Sequence, residues 1–394
     1  MGTFMLLSIS NKLTQDLVVV PFLWIVPLSL YLVSFIIAFG NSKLYNRKLF
    51  FMSMVLILAM IIKMELKFEF VNREKPIGET ILWYCLGVFN VCMILHGELA
   101  RLKPKENKLT FYYMMISLGG VLGGIVCNFI IPILFNAFWE VYFGFAGFVI
   151  LITGLILKNE AVMKSASKRF LFLGAASVLF VGIIISFIKI HTIYNKDVIA
   201  SVRNFYGVLR VVDDNKNSVY WFRKLIHGDI LHGGQFEQKE YQSLPVSYYG
   251  PSSGIGLALT EHPSRTDSVK KGIKVGMIGL GVGCIAIYGN EKDVFRYYEI
   301  NPLVETIARK YFTYLDDSKY KTDVIISDGR IALEKELKET GSQQFDVLAI
   351  DAFTGDMIPT HLLTREAIEL YLKHLKDDGI LVFNITNKYL RCFK

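Results

Sequence analysis

Apolar runs long enough, or nearly long enough, to span a bilayer fill the first half of this 394-residue chain. We mark six of them, at about residues 17–39, 49–64, 80–96, 110–135, 138–157 and 169–190. The second run is the weakest, because only about 15 apolar residues precede the charged residues at 63, 65 and 67. A mean hydropathy of +0.40 is well above that of a typical soluble chain. Residues 1–190 are therefore predicted to form an α-helical membrane bundle of about six spans, a multi-pass protein of the cell membrane.

The excess positive charge is confined to this apolar half. Residues 1–190 carry 17 Lys and Arg against 9 Asp and Glu, whereas residues 191–394 carry 26 against 26. The net charge of +8 therefore lies in short loops between apolar runs, which is typical of membrane topology signals. We expect the lipid bilayer as a partner and no nucleic acid, because the polar half shows no basic face.

The fourth apolar run carries a face of small residues. Gly119, Gly120, Gly123 and Gly124 form two interleaved pairs with the small-xxx-small spacing. Because glycine has no side chain, this spacing allows a second helix to approach closely. We expect helix packing on this face.

The five cysteines, at positions 85, 92, 127, 284 and 392, show no CxxC spacing. Neither a zinc site nor a disulfide framework is indicated, and no metal site is predicted. We interpret these cysteines as small apolar fillers. The first apolar run is long enough to be retained as a span, and no cleavage signal follows it.

The second half changes to strand-like runs separated by charged turns. Residues 191–272 are predicted to form a small antiparallel β subdomain, with strands at 208–212 and 219–225. Residues 273–394 alternate strand and helix, with strands at 274–279, 295–300, 323–327, 346–351 and 379–385. Helices are predicted near 283–289, 302–312, 330–339 and 364–375. This α/β alternation predicts a mostly parallel, Rossmann-like sheet with a ligand at the carboxyl ends of its strands.

Three features at these strand ends indicate an adenosyl-nucleotide site. Gly279, Gly281 and Gly283 follow the first strand, where missing side chains allow a tight turn and close backbone approach. Glu299 closes the next strand 20 residues after Gly279, where a carboxylate can accept both ribose hydroxyls. Asp328 and Gly329 follow the third strand, at the adenine edge. A carboxylate at such a position can instead cap the following helix.

The fourth predicted strand ends in further acidic residues. Asp351 ends the strand itself, and Asp356 follows in the loop. Carboxylates here would face the reacting end of the ligand and could hold a cationic amine and take up its proton. Asp356 can equally be a loop residue without a role in the site.

The polar half carries the motifs GLGVG, YYEINP, SDGR and DAFTGD, with HGDILHGGQ and YYGPSSGIG upstream, and the apolar half carries PFLWIVPLSLYLVSF, HGELARLKP and SLGGVLGG. The order of these motifs resembles that of spermidine synthase domains, specifically the bacterial group fused to spans of the major-facilitator type. The resemblance covers nearly the whole chain. It implies a Rossmann-like class I methyltransferase/spermidine synthase fold after the membrane bundle.

The resemblance also implies roles for individual residues. Glu299 becomes the ribose ligand, Asp328 and Gly329 the adenine contacts, and Gln235 a contact over the donor. Asp351 becomes the acid that orients or deprotonates the amine acceptor, and Tyr249 an acceptor-side tyrosine. The chain departs from the family at Val282 and Thr354, where soluble members carry aspartates. Both missing carboxylates would have faced the cationic groups of donor and acceptor.

The leading hypothesis is a membrane-anchored aminopropyltransferase of polyamine biosynthesis. Decarboxylated S-adenosylmethionine would be a co-substrate, with no tightly bound cofactor, and the partner a small amine or polyamine. One alternative is a methyltransferase that uses intact S-adenosylmethionine, which Val282 and Thr354 permit. Another is a polyamine transporter or sensor with a regulatory nucleotide-binding domain. Association into a homo-oligomer is left open.

The family's sheet normally continues past a fifth strand, whereas this chain ends nine residues after Ile385. Either a shorter sheet suffices or the fold is truncated at its C-terminus. An exposed parallel edge would be a liability.

Topology and chemistry disagree about the side on which the second half lies. If all six runs cross, eleven basic residues share the face opposite both termini, which the positive-inside rule makes cytoplasmic. These residues are Lys43, Arg47, Lys48, Arg101, Lys103, Lys105, Lys108, Lys158, Lys164, Lys168 and Arg169. An adenosyl donor, in contrast, is made in the cytosol. If one span is miscounted, the number of spans changes from even to odd, and the second half then lies on the other side of the membrane. The second run is the best candidate for such a miscount.

We therefore predict that the second half faces the cytoplasm. A cysteine introduced at Ser268, in a variant without native cysteines, should be protected from a membrane-impermeant thiol reagent in intact cells. It should react after the cells are opened. Labelling of intact cells would contradict the prediction and favour the positive-inside count.

Overall fold

The computed structural model describes residues 1–17, 23–71, 77–158, 166–228, 230–266, 272–353 and 358–385. The chain divides into two compact units, Met1–Lys196 and Asp197–Lys394. The first unit ends just after its last long helix, which continues to Tyr194.

The described secondary-structure elements of the first unit are all helices. Short π-helical turns at Lys12–Leu17 and Val126–Ile130 extend α1 and join α5 to α6. The α-helices are α1 (Gly2–Asn11), α2 (Ile25–Gly40), α3 (Arg47–Val71), α4 (Ile77–Arg101), α5 (Leu109–Ile125), α6 (Ile131–Leu134), α7 (Glu140–Leu157) and α8 (Ala166–Tyr194).

Five described helical segments are long and apolar enough to cross a membrane. They are Arg47–Leu66, Ile77–Arg101, Glu106–Leu134, Glu140–Leu157 and Arg169–Tyr194. The second apolar run, which the sequence makes the weakest, lies in the 20-residue segment beginning at Arg47. The helix continues past Lys63 and buries Glu65, whose carboxylate accepts a hydrogen bond of 3.0 Å from the Tyr84 hydroxyl. The first run contains the shorter helix α2, and residues 18–22 of this run lie outside the described residues.

Helix α1 was not predicted, and it lies against the glycine face expected on α5. Met5 and Ile9 on α1 are fully buried. A Cβ atom added to Gly123 would lie 3.2 Å from the backbone nitrogen of Phe4, and one added to Gly144 of α7 would lie 3.1 Å from the Phe4 ring. Small residues on two helices thus make room for α1, as close helix packing requires.

The second unit begins with an antiparallel sheet in the order β1-β2-β3-β4. Its strands are β1 (Val198–Asn204), β2 (Gly207–Asp214), β3 (Phe222–His227) and β4 (Ile230–Phe236). Two short helices follow, α9 (Gly254–Thr260) and α10 (Pro263–Thr266). The buried Leu209, Val211 and Leu225 of this sheet belong to the same hydrophobic core as Val275 and Val347 of the next sheet.

The parallel sheet has the order β7-β6-β5-β8-β9, and every pairing in it is parallel. The order reverses between β5 and β8, which is the switch point where ligands of such sheets bind. The elements are β5 (Lys274–Ile278), β6 (Val294–Glu299), α11 (Pro302–Tyr311), β7 (Lys321–Ile326), α12 (Gly329–Glu339), β8 (Phe345–Ile350), α13 (Arg365–His374) and β9 (Leu375–Phe383).

Each predicted strand of this sheet overlaps an observed one, and three of the four predicted helices agree within one residue at each end. The helix predicted at 283–289 is wrong, because only a 3₁₀ turn forms at Cys284–Tyr288. Its N-terminal neighbour Gly283 has a φ of 79°, a left-handed conformation that cannot begin an α-helix. Among the described residues the sheet has five strands, and residues 386–394 lie outside them.

Candidate active site

A cavity of about 330 Å³ opens at the carboxyl edge of the parallel sheet. It is lined by residues that follow β5, β6, β7 and β8, so it lies at the predicted switch point. Seven of the ten predicted site residues line it: Gly279, Gly281, Glu299, Asp328, Gly329, Tyr249 and Asp351. Gly283 and Gln235 do not line it, and Asp356 lies outside the described residues.

The glycine loop needs glycine because neighbouring backbone leaves no room for a Cβ atom. Gly279 has a φ of 101°, and an added Cβ would lie 2.5 Å from the carbonyl oxygen of Asp351. At Gly281 the φ is 55°, and the nearest atom would be the carbonyl oxygen of His232, at 2.8 Å. Gly283 serves packing instead of the cavity, since its Cβ would lie 2.8 Å from Leu315. The first two glycines therefore hold the loop tightly under β4 and against the end of β8.

Glu299 is buried at the end of β6 and ties two loops together. Its Oε2 accepts a hydrogen bond of 3.0 Å from the backbone N–H of Leu280, and its Oε1 one of 2.9 Å from Asn301. Burial raises the pKa of Glu299, and these backbone donors oppose the shift. Because a carboxylate has about four lone-pair sites, Glu299 can still accept a ribose hydroxyl.

Asp328 caps a helix, the alternative that the sequence left open. Its Oδ1 accepts a hydrogen bond of 3.0 Å from the backbone N–H of Ile331, in the first turn of α12. Its Oδ2 lies 2.8 Å from Nε2 of His361. If Asp328 also contacts adenine, its carboxylate does so in addition to the two hydrogen-bond partners that it already has. Gly329 is glycine for packing, since an added Cβ would lie 2.6 Å from Ile278.

Asp351 occupies the end of β8 and is held by two donors. The Tyr249 hydroxyl donates to its Oδ2, and Nδ2 of Asn384 lies 2.6 Å from its Oδ1. Burial raises the pKa of Asp351 to about 6, and the two hydrogen bonds oppose that rise. The Tyr249 ring is buried, and its backbone carbonyl accepts a hydrogen bond of 2.5 Å from the Tyr288 hydroxyl. Tyr249 thus positions Asp351, in addition to lining the cavity as an acceptor-side residue would.

Gln235 does not lie over the donor site. Its Oε1 accepts a hydrogen bond of 2.9 Å from the backbone N–H of Thr313, and its Nε2 donates to the Thr313 hydroxyl and to the carbonyl of Gln242. The side chain borders a different, open cavity on the unit. The Gln235 side chain points away from the cavity lined by the glycine loop, because successive side chains along strand β4 point to opposite faces of the sheet.

The structure describes one of the two positions, Val282 and Thr354, at which the sequence departs from the family pattern. The side chain of Val282 is buried, and a Cβ atom on Gly233 of β4 would lie 2.8 Å from it. Val282 therefore packs under β4 and does not line the cavity. Thr354 lies outside the described residues, as does the labelling position Ser268.

Several lining residues were not singled out from the sequence, and they include Tyr206, His227, His232, Tyr248 and His361. The asparagine that holds Asp351, Asn384, was also missed. His227 and His232 stand in the HGDILHGGQ segment, but no local pattern shows that this hairpin reaches the glycine loop. Asn384 follows β9 and reaches Asp351 only because β9 pairs with β8.

The described wall of the cavity is acidic. Glu299, Asp328 and Asp351 are its carboxylates, and no lysine or arginine is among the described lining residues. Among the described residues, no group of three or more His, Cys, Asp or Glu side chains could hold a metal ion. Such a wall favours a cationic ligand.

Comparison with known proteins gives partial matches to two transferases. No protein-family model matches the chain. The chain is 27% identical to the N-terminal histidine N-methyltransferase of Emericella nidulans over 187 residues, 45% of this chain and 32% of that protein. It is 33% identical to the polyamine aminopropyltransferase of Vibrio vulnificus over 115 residues, 28% of this chain and 37% of that protein. The chain thus spans about a third of the length of these relatives.

A likeness to a solved structure is weaker. The crystal structure of a probable spermidine synthase from Corynebacterium glutamicum matches with a TM-score of 0.37 and 15% identity. The match covers 47% of this chain and 62% of that chain. The description of the second unit therefore depends on its own strand order and cavity, and not on this likeness.

We predict that Glu299→Ala weakens binding of an adenosyl nucleoside by about 2 to 4 kcal/mol, since it removes charge-assisted hydrogen bonds. Calorimetry on the detergent-solubilised chain would measure the loss. Glu369→Ala is the matched control, because this half-exposed glutamate pairs with Arg365 on α13 and does not line the cavity. Equal affinity of Glu299→Ala and the unaltered chain would remove Glu299 from the site.

Proposed function

We propose that the protein is a transferase that moves a carbon group from an S-adenosyl sulfonium donor to the nitrogen of an amine. The observation that carries the proposal is the acidic cavity at the β5/β8 switch point, with Asp351 at its reacting end and no described lysine or arginine in its wall. The donor is a cation and so is the protonated acceptor. Carboxylates in the cavity wall favour the binding of both cations.

The chemical step needs one base and one leaving group. The amine nitrogen attacks the carbon next to the sulfonium, the carbon–sulfur bond breaks, and its electron pair stays on sulfur as a neutral thioether. Before it attacks, the protonated nitrogen loses one proton to the Asp351 carboxylate, which frees its lone pair, and the product nitrogen then carries the positive charge that sulfur gives up. Because its pKa is raised to about 6, Asp351 is a better proton acceptor than an exposed aspartate and is still mostly ionised at pH 7. The rate should therefore rise with pH through about 6.

Aminopropyl transfer is the form of the reaction that the wall favours. Decarboxylated S-adenosylmethionine ends in an ammonium group, which suits an acidic wall. Intact S-adenosylmethionine also carries a carboxylate, for which the described lining offers no lysine or arginine. The partial match to the Vibrio polyamine aminopropyltransferase supports this form.

Methyl transfer is the second candidate, and the placement of Val282 favours it. Since Val282 is buried under β4, the glycine loop presents no carboxylate to the donor tail. The carboxylate in the tail of intact S-adenosylmethionine then meets less electrostatic repulsion from the protein. The partial match to an N-methyltransferase supports this candidate.

We further propose that the first unit anchors the protein in the cell membrane, with the second unit on the cytoplasmic side, where the donor is made. Five described segments of sufficient length and hydropathy support the anchoring. Transport or sensing of polyamines by this unit remains a separate hypothesis, which uptake into reconstituted vesicles would test.

Donor binding tests the proposal and separates its two forms. Calorimetry on the solubilised full chain should show that decarboxylated S-adenosylmethionine binds about tenfold more tightly than the intact compound, because only the intact compound brings a carboxylate into the acidic cavity. The reverse preference would favour methyl transfer. Binding of neither compound would contradict the transferase.

We predict that Asp351→Asn lowers turnover by about 10²- to 10⁴-fold while leaving nucleoside affinity within about twofold. The substitution preserves the shape and removes the base. Rotation of the Asn384 amide would let its oxygen accept from the new amide, so the hydrogen bonds at this position need not be lost.

Asp356→Asn is the matched control for this loop, with near-normal turnover expected. If Asp351→Asn keeps full activity while Asp356→Asn is inactive, the reacting centre is misplaced by one turn of the loop. If both variants are fully active, the chemistry proposed here does not operate.

A further inference from the structure

One side of the cavity is a wall of uncharged rings. Tyr206, His227, His232 and Tyr248 line it, from the antiparallel sheet and the turn Ser247–Tyr249. Burial lowers the pKa of His232 to about 4, and it lowers that of His227 below its usual value. Both imidazoles are therefore neutral at pH 7. We call these four residues the ring wall.

The ring wall adjoins the reacting end of the site. An added Cβ on Gly281 would lie 2.8 Å from the His232 carbonyl oxygen and 4.0 Å from the Tyr249 hydroxyl, which itself donates to Asp351. The rings of Tyr248 and Tyr249 lie 4.6 Å apart between centroids. A group held near the ring wall is thus within one side-chain length of the base.

The two histidines of the wall differ in their hydrogen bonds. Nε2 of His227 lies 2.8 Å from the carbonyl oxygen of Tyr206, which makes it the protonated nitrogen. Nε2 of His232 is buried and has no hydrogen-bond partner among the described residues. The imidazole rings are 5.2 Å apart between centroids. An unpaired buried nitrogen is costly, and a ligand can supply its missing partner.

Placement in the cavity distinguishes His232 from another histidine of the same unit. Nε2 of His262 is equally buried and equally without a partner among the described residues, but His262 does not line the cavity. Of these two histidines, His232 is the one that can meet a ligand in the cavity. Its nitrogen is closed off from water in this structure, so a ligand reaches it when the ring turns about χ2, a soft torsion.

We infer that the ring wall is the acceptor subsite, and that it selects an amine with a single positive charge and a flat, polar body. His232 hydrogen-bonds that body, the tyrosine rings pack against it, and Asp351 receives the reacting nitrogen. This assignment rests on the transferase proposed above. A linear diamine fits less well, because its second ammonium would lose water beside rings that offer it no carboxylate.

Two probe amines of similar reach test the selection. Histamine has one ammonium and, at pH 8, a neutral imidazole ring. 1,5-Diaminopentane replaces the ring with a second ammonium. The full chain in detergent is first saturated with 5′-methylthioadenosine, the thioether product of aminopropyl transfer, and each amine is then titrated by calorimetry. We expect histamine to bind about tenfold more tightly, and equal or tighter binding of the diamine would overturn the assignment.

Variants of His232 then test its role in binding the amine. His232→Phe should weaken histamine binding about tenfold, and His232→Gln, which keeps a polar group at the end of the side chain, should recover part of the loss. His262→Phe, the matched control, should leave it unchanged. Unchanged affinity for 5′-methylthioadenosine shows that each variant is folded.

The outcomes separate the two proposals. If the nucleoside binds and His232→Phe binds histamine normally, the subsite is wrong and the transferase stands. If the unaltered chain binds neither this nucleoside nor either sulfonium donor, the transferase is wrong and the subsite falls with it.

Discussion

The contact between the glycine loop and the end of β8 is the constraint on which the site depends. Gly279 approaches Asp351 so closely that a Cβ atom would lie 2.5 Å from the Asp351 carbonyl oxygen. The parallel hydrogen-bond ladder continues past the strands at this point, with Asp351 N–H bonded to the Ile278 carbonyl at 2.8 Å and Ser327 N–H to the Glu299 carbonyl at 2.9 Å. Backbone bonds therefore set the spacing of the carboxylates at the sheet edge, and side-chain packing follows.

The antiparallel sheet completes the site from above. Its strand β4 runs over the glycine loop, where the His232 carbonyl approaches Gly281 and Gly233 makes room for Val282. This packing explains why a valine is tolerated in the loop, since its side chain enters the shared core and not the cavity. It also places two neutral imidazoles in the lining of the cavity. The chemistry of the site thus comes from both sheets, with carboxylates from one and rings from the other.

The helical unit depends on the same property of glycine in a different setting. Missing side chains on α5 and α7 let α1 lie against both helices, with Met5 and Ile9 fully buried. The polar Glu65 is accommodated by hydroxyls from two other helices, Tyr84 at 3.0 Å and Tyr142 at 3.4 Å. In a low-dielectric bundle a carboxylate needs such partners. The two hydroxyls therefore pair a carboxylate that lies just past the second apolar run.

The sequence by itself determined the periodic and local features. The alternation of apolar strands and helices, the three glycines, and the carboxylates at successive strand ends all follow from residues that are neighbours in the chain, so the parallel sheet and the places of Glu299 and Asp351 could be predicted. The tertiary structure alone decided what these side chains contact. Asn384 reaches Asp351 through strand pairing, Gln235 turns to Thr313, Asp328 caps α12, and His232 covers Gly281. The physical reason is that a hydrogen bond or a close contact depends on which distant segments the fold brings together, and no local pattern in the chain records those neighbours.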